Sequence, residues 1–228
     1  MVIVDDFIAP PCHEEIKILY QDEDILLIDK PSGLLSLSGK NPLNKDSVHY
    51  RLVQGRLNGR AFPTATLVHR LDFGTSGIMV VALNKQVNSL LGKQFQDRIV
   101  SKSYIAILEG HLDNDQGCIE LPIAKDKPNF PLQKICEETG KQARSEYHVL
   151  ERLQDPLCCR VRFNPQTGRT HQLRIHSLII GHPILGCDLY KSASSEGMAE
   201  RLLLHANELH FDHPRSAERV HGYSPCPF

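Results

Sequence analysis

Residues 69–77 read HRLDFGTSG and run straight into IMVVAL at 78–83. The second stretch is apolar at every position, the pattern of a strand covered on both faces. The first places one carboxylate, Asp72, beside a glycine-containing turn. That carboxylate has two readings. In the plainer one it closes an Asx-turn ahead of a central strand. In the other it is a nucleophile held at the mouth of a sheet.

Working outward, IKILY at 16–20 and ILLID at 25–29 are apolar runs separated by QDED, which predicts two strands around a turn. KPSG at 30–33 is a turn cluster, with Pro31 presetting φ and Gly33 permitting positive φ. The segment 46–56 predicts a short helix with Asp46 as its N-cap. After the strand at 78–83, Val87, Leu90, Leu91, Phe95 and Ile99 recur at helical spacing behind Asn84, a suitable cap. SYIAILEG at 103–110 is another strand. The proline-rich span 111–143 predicts a long excursion, with a hairpin in it. Strands resume at 145–151 and 157–163.

RTHQLRIHSLII then predicts a helix, with Thr170 as N-cap and Gly181-His182-Pro183 as its stop. A short helix near 195–202 and a strand near 208–212 complete the order, with YSPCPF as loop. Strands outnumber helices and are mostly joined by turns. The expected class is α+β: a mixed, largely antiparallel central sheet flanked by helices, with an active-site cleft.

The chain has 228 residues, a hydrophobic share of 41% and a charged share of 23%, as an ordinary soluble globular protein does. No apolar run approaches the ~20 residues of a membrane span. The first residues, MVIVDDFIAPPCHEE, lack the basic start of a signal peptide. The seven cysteines include no CxxC, and reduced thiols of a cytoplasmic protein are the simpler reading. In LCCRVRF the adjacent Cys158 and Cys159 are expected to point in opposite directions, one inward and one outward. The net charge is −1, yet residues 141–174 hold seven basic side chains against three acids. Such a run is usually a solvated surface; here it is weak support for an anionic ligand.

Twelve histidines raise a metal alternative. His171 and His176 are five apart, wrong for two ligands on one helix face, and no HExxH or zinc-spaced Cys/His cluster occurs. Neither GxSxG nor a phosphate-binding glycine loop is present.

Taken together, HRLDFGTSG at 69–77, KSYIAILEG at 102–110, GRTHQLRIH at 168–176, GHPILGCD at 181–188 and LLLHA at 202–206 resemble the RluA family of pseudouridine synthases. The resemblance covers nearly the whole chain from ILYQDEDILLIDKPSG onward. It implies a catalytic domain over 16–228 with a 1–15 extension and no S4 RNA-binding domain. It implies an isomerase that detaches uridine at its N-glycosidic bond, rotates the base and rejoins it through C5, with no cofactor and no metal. Its implied partner is RNA: a large-subunit rRNA stem-loop, with a tRNA anticodon stem-loop as a further candidate. A monomer in the cytoplasm, off the membrane, is the expected state.

The resemblance also implies roles. Asp72 matches the family's essential aspartate, and Arg174 the arginine that pairs with it; a guanidinium keeps a carboxylate ionised and oriented. Tyr104 matches the motif tyrosine, which can stack on the base and help remove the C5 proton. Leu204 matches an apolar wall, though plain core explains it equally. His69 and Arg70 flank the carboxylate; they brace the loop, or Arg70 fills the stack that an extruded uridine vacates. Thr75 and Ser76 are expected to fix the loop through side chain to backbone bonds. Whether the carboxylate attacks C1′, adds to the base or acts through a glycal stays open. The rival readings are a catalytically idle RNA-binding protein on the same scaffold, against which the intact Asp72, Tyr104 and Arg174 argue, and a nucleoside glycosidase, which lacks a second acid.

Overall fold

The computed structural model describes residues 7–57, 59–195 and 197–228. In chain order its elements are β1 (Lys17–Gln21), β2 (Ile25–Lys30), α1 (Val48–Val53), β3 (Thr66–Leu67), β4 (Ser76–Ala82), α2 (Lys85–Gln96), β5 (Ser101–Glu109), β6 (Gln116–Glu120), β7 (Ile123–Lys125), β8 (Gln133–Ile135), β9 (Arg144–Gln154), β10 (Leu157–Pro165), α3 (Gln172–Ile179), β11 (Leu204–Asp212) and β12 (Arg219–Tyr223). Long strands paired antiparallel and few helices make this an α+β fold with a largely antiparallel sheet. The chain divides into two compact units. One is the residues up to Val100 with Glu208–Pro225, the other Ser101–Asn207 with Cys226–Phe228.

In the first unit β4 is buried along its whole length and pairs with β2, Leu27 opposite Val80 and Ile28 opposite Met79. The apolar run at 78–83 is thus the central strand its composition predicts. Asn84 caps α2 by accepting from Val87 N at 2.9 Å, and Val87 and Leu91 are buried. The helix stops at Gln96, so Ile99 lies beyond it and is exposed, as is Leu90. Strand β12, for which the sequence predicts no element, pairs with β11.

The cap of α1 is Ser47, not Asp46. Ser47 has extended backbone and its Oγ accepts from Tyr50 N at 3.1 Å. Asp46 instead grips Arg51 with both oxygens, at 2.8 and 2.6 Å. The same buried guanidinium donates to Glu14 O at 2.6 Å, which ties the segment before β1 to the helix.

In the second unit the strand order is β11-β5-β10-β9-β6, and β7 and β8 form a separate hairpin inside the excursion at 111–143. Cys158 and Cys159 do point to opposite faces of β10, but both are buried, which corrects the expectation that one faces out. Cys159 joins the main core with Val161, Phe163, Leu173 and Ile175, and Cys158 packs with Ile107 and Leu185 on the other face. The span 195–202 is turn and bend among its described residues, not a helix.

Helix α3 begins later than the sequence suggests. His171, not Thr170, is the N-cap; it has left-handed backbone (φ 56°) and no side-chain cap bond. The stop is as expected. Gly181 (φ 83°) donates to Leu178 O at 2.9 Å and His182 to Ser177 O at 3.0 Å, a Schellman turn that needs positive φ.

Candidate active site

Four of the candidate residues lie on one segment of the first unit. Asp72 is half-buried at the start of a turn, with Thr75 N donating to Asp72 O at 3.1 Å. The neighbouring chain at 30–36 holds this turn. Ser36 Oγ donates to Leu71 O at 2.7 Å, Ser32 Oγ to Gly74 O at 2.7 Å, and Gly33 N to Phe73 O at 3.0 Å. Beneath it, Lys30 is fully buried. Its ammonium donates to Pro31 O (2.8 Å), Leu34 O (2.7 Å) and Phe73 O (3.2 Å). Three carbonyls match three N–H donors, the condition under which burying an ammonium is tolerable.

His69 braces this segment. Its Nε2 accepts from Val80 N at 3.0 Å, and its ring stacks on Phe95 with centroids 4.8 Å apart. Arg70 is exposed. Thr75 departs from expectation: its hydroxyl is buried and has no hydrogen-bond partner among the described residues, so it does not fix the loop by a side-chain bond.

The remaining three candidates lie in the second unit. Tyr104, on β5, faces Phe163 of β10 and packs partly against the main core, in which Leu204 is buried. Arg174 is 4% exposed. Its Nη2 donates to Asp188 Oδ1, its Nε to Cys187 Sγ at 3.3 Å, and its guanidinium lies over the Tyr190 ring at 5.3 Å. Gly186 makes the approach of Cys187 and Asp188 possible: a Cβ there would stand 1.9 Å from Arg201 O, so no other residue fits.

A closed polar network holds α3 against β9. Gln172 Oε1 accepts from Thr167 Oγ1 (2.7 Å) and Arg169 N (3.0 Å); its Nε2 donates to Arg144 O (3.0 Å) and Ser145 Oγ (2.9 Å). Ser145 Oγ lies 3.0 Å from His176 Nδ1, and His176 Nε2 lies 3.1 Å from Leu121 O. A carbonyl only accepts, so Nε2 carries the proton and Ser145 donates to Nδ1. Burial pushes the His176 pKa down, which favours that neutral form. The network fixes the helix that carries Arg174.

The family model for RNA pseudouridylate synthases matches residues 24–178, about two thirds of the chain. The chain belongs to the RNA pseudouridylate synthase family. Curated relatives named dual-specificity RNA pseudouridine synthase RluA agree: the Yersinia pestis protein is 49% identical over 204 residues, covering 90% of this chain and 96% of its own. The Escherichia coli (strain K12) protein is 45% identical over 219 residues, covering 96% and 97%. Among solved structures, human RNA pseudouridylate synthase domain containing 1 has a TM-score of 0.76 at 30% identity, covering 96% of this chain and 86% of that one. The chain is therefore an RNA pseudouridine synthase, an isomerase, and the idle RNA-binding alternative is not favoured.

Sequence reasoning passed over three residues of this pseudouridine synthase's candidate site. Lys30 reads as the polar end of a strand, and Ser36 as part of a loop. Asp188 stands in the quoted GHPILGCD, but nothing in its spacing announces a partner for Arg174. For Lys30 there was a signal: a lysine closing an apolar strand, directly before a proline-glycine turn.

Proposed function

We propose that this enzyme converts uridine to pseudouridine in two kinds of structured RNA, a large-subunit rRNA stem-loop and a tRNA anticodon stem-loop, with Asp72 as the reacting carboxylate. The observation that carries the assignment to Asp72 is its seat: half-buried, on a turn whose flanking carbonyls are each taken by a donor from residues 30–36. The dual specificity for which the relatives are named supports two RNA classes.

The reaction breaks the bond from C1′ to N1 and forms one from C1′ to C5. C5 gives up its proton and N1 gains one, so no electrons and no second substrate are exchanged. Asp72 supplies the negative charge near the sugar or base. Tyr104 lies under the base, its hydroxyl near the C5 proton. Arg174 holds the position of the motif arginine that the family resemblance pairs with the aspartate. Arg70, exposed on the same segment as Asp72, takes the place of the extruded uridine in the RNA stack. His69 holds the segment, while Thr75 and Leu204 line the site.

The test is purified enzyme incubated separately with an rRNA hairpin and an anticodon hairpin, followed by chemical mapping of pseudouridine. Conversion in both, abolished by Asp72→Asn, is the expected result. Conversion in one alone removes the second target, and conversion by Asp72→Asn removes the carboxylate from the mechanism.

A further inference from the structure

Among the described residues, Lys102 is a cation with no anion or acceptor bound to it. It is partly buried near the start of β5, and among the described residues its ammonium has no hydrogen-bond or ion-pair partner. Desolvation pushes its pKa down, with no compensating anion. The contrast with Lys30, whose three donors meet three carbonyls, is sharp. A methionine or leucine would fill the same space without the cost of taking a charge out of water. A cation kept in such a place calls for an anion that arrives from outside.

The position of Lys102 says which anion. Strand residues alternate between faces, so Lys102, Tyr104, Ala106 and Leu108 share one face of β5. Ala106 and Leu108 lie in the core that also takes Leu173 and Ile175 of α3, and Tyr104 packs against it. Lys102 is the residue on that face beyond Tyr104, about 7 Å along the strand. Its Nζ lies against the loop that leads into α3: a Cβ built on Gly168 would be 3.5 Å from Nζ, an ordinary van der Waals contact.

We infer that Lys102 holds a backbone phosphate of the RNA, next to the nucleotide that Tyr104 receives. The inference rests on the reading of Tyr104 as the base platform. The phosphodiester restores to the ammonium the negative charge that its surroundings lack, so binding RNA removes a penalty the free enzyme carries. Lys102 is thus a positioning residue that contributes to binding, and it takes no part in bond exchange.

The experiment compares wild type with Lys102→Met and Lys102→Arg. Hairpin affinity is measured against salt, with KM, kcat and melting temperature on the same preparations. For Lys102→Met, Kd and KM are expected to rise about five- to tenfold near 0.1 M salt while kcat changes less than about twofold, the pattern of a lost phosphate contact. The slope of log affinity against log salt should shrink by about 0.7–0.9, one counterion fewer. The same variant should melt at or above wild type, because an unpaired partly buried charge is gone. A residue that merely supports the fold would lower melting and leave the salt slope alone. Lys102→Arg should recover most of the affinity and the slope.

An unchanged slope and affinity in Lys102→Met, with wild type still making pseudouridine, overturns this inference and leaves the proposed function standing. A wild type that binds the hairpin through Lys102 yet leaves its uridine unconverted sinks the proposed function and keeps the phosphate contact.

Discussion

The ammonium of Lys30, fully buried, donates at 3.2 Å to the carbonyl of Phe73, the residue that follows Asp72. A side chain with no access to solvent therefore fixes the backbone that presents the proposed reacting carboxylate. Lys30→Met would leave Pro31, Leu34 and Phe73 carbonyls without this donor, at a cost of ~2–4 kcal/mol in total. The variant should melt roughly 5–15 °C lower. Its folded fraction should lose turnover more than tenfold, since the Asp72 turn shifts. Thermal melting and pseudouridine yield at low temperature check this, and a variant that melts like wild type refutes it.

Asp72→Asn separates the two readings of the opening motif. Asparagine also forms Asx-turns, so the fold should persist and the melting temperature should move by only ~2 °C. Hairpin affinity should stay within about tenfold, because most binding comes from phosphate and shape contacts. Uridine conversion should vanish. Measurable turnover by the folded variant would return Asp72 to the rank of a turn residue.

Asp188 is an exposed acid set against a buried guanidinium, with side-chain exposures of 68% and 4%. Being exposed, it contributes little to stability, within ~1 kcal/mol. Its contribution is orientation: it fixes one end of the Arg174 fork. Asp188→Ala should lower kcat by about tenfold, the kinetic equivalent of ~1.4 kcal/mol, with KM nearly unchanged. Steady-state kinetics on a hairpin substrate decides. A pure KM effect would place Asp188 on the RNA rather than on Arg174.

His176 predicts a pH dependence. Its folded pKa lies below the unfolded value of ~6.5 because burial disfavours the imidazolium. As pH falls below that unfolded value, the unfolded chain takes up a proton that the folded one refuses. Stability is therefore full above about pH 6.5 and is lost progressively below it, until the folded pKa is reached. Melting temperature should decline from pH 7 to 5.5. His176→Leu should melt lower throughout, having lost bonds to Ser145 and Leu121, yet show a flatter profile over that window. Parallel profiles for the two proteins would assign the decline to other groups.

Much of this molecule could be read before any coordinates. The strand at 78–83, the Asn84 cap, the strands at 145–151 and 157–163 and the Gly181 stop all rest on local rules of periodicity and capping. What escaped depends on partners distant in sequence. Ser47 and Asp46 are equally good caps by type, and only Arg51, itself bound to the chain at Glu14, decides between them. An alternating strand predicts that one of Cys158 and Cys159 looks outward, but Leu185 and Ile107 cover the face of Cys158. The candidate site divides in the same way. Asp72, Tyr104 and Arg174 are marked by motifs, whereas Asp188 and Lys102 are marked only by what surrounds them.

The division of the chain bears on how it is made. One unit needs residues up to Val100 and then Glu208–Pro225, so more than a hundred residues are synthesised between its two parts. Since chains emerge N-terminus first, β4 and Asp72 leave the ribosome long before the end of β11 and β12, which complete their unit. A transcript truncated near residue 207 would release a first unit lacking its last strands and displaying apolar edges. Nascent chains of that length should depend on chaperones far more than the finished protein does.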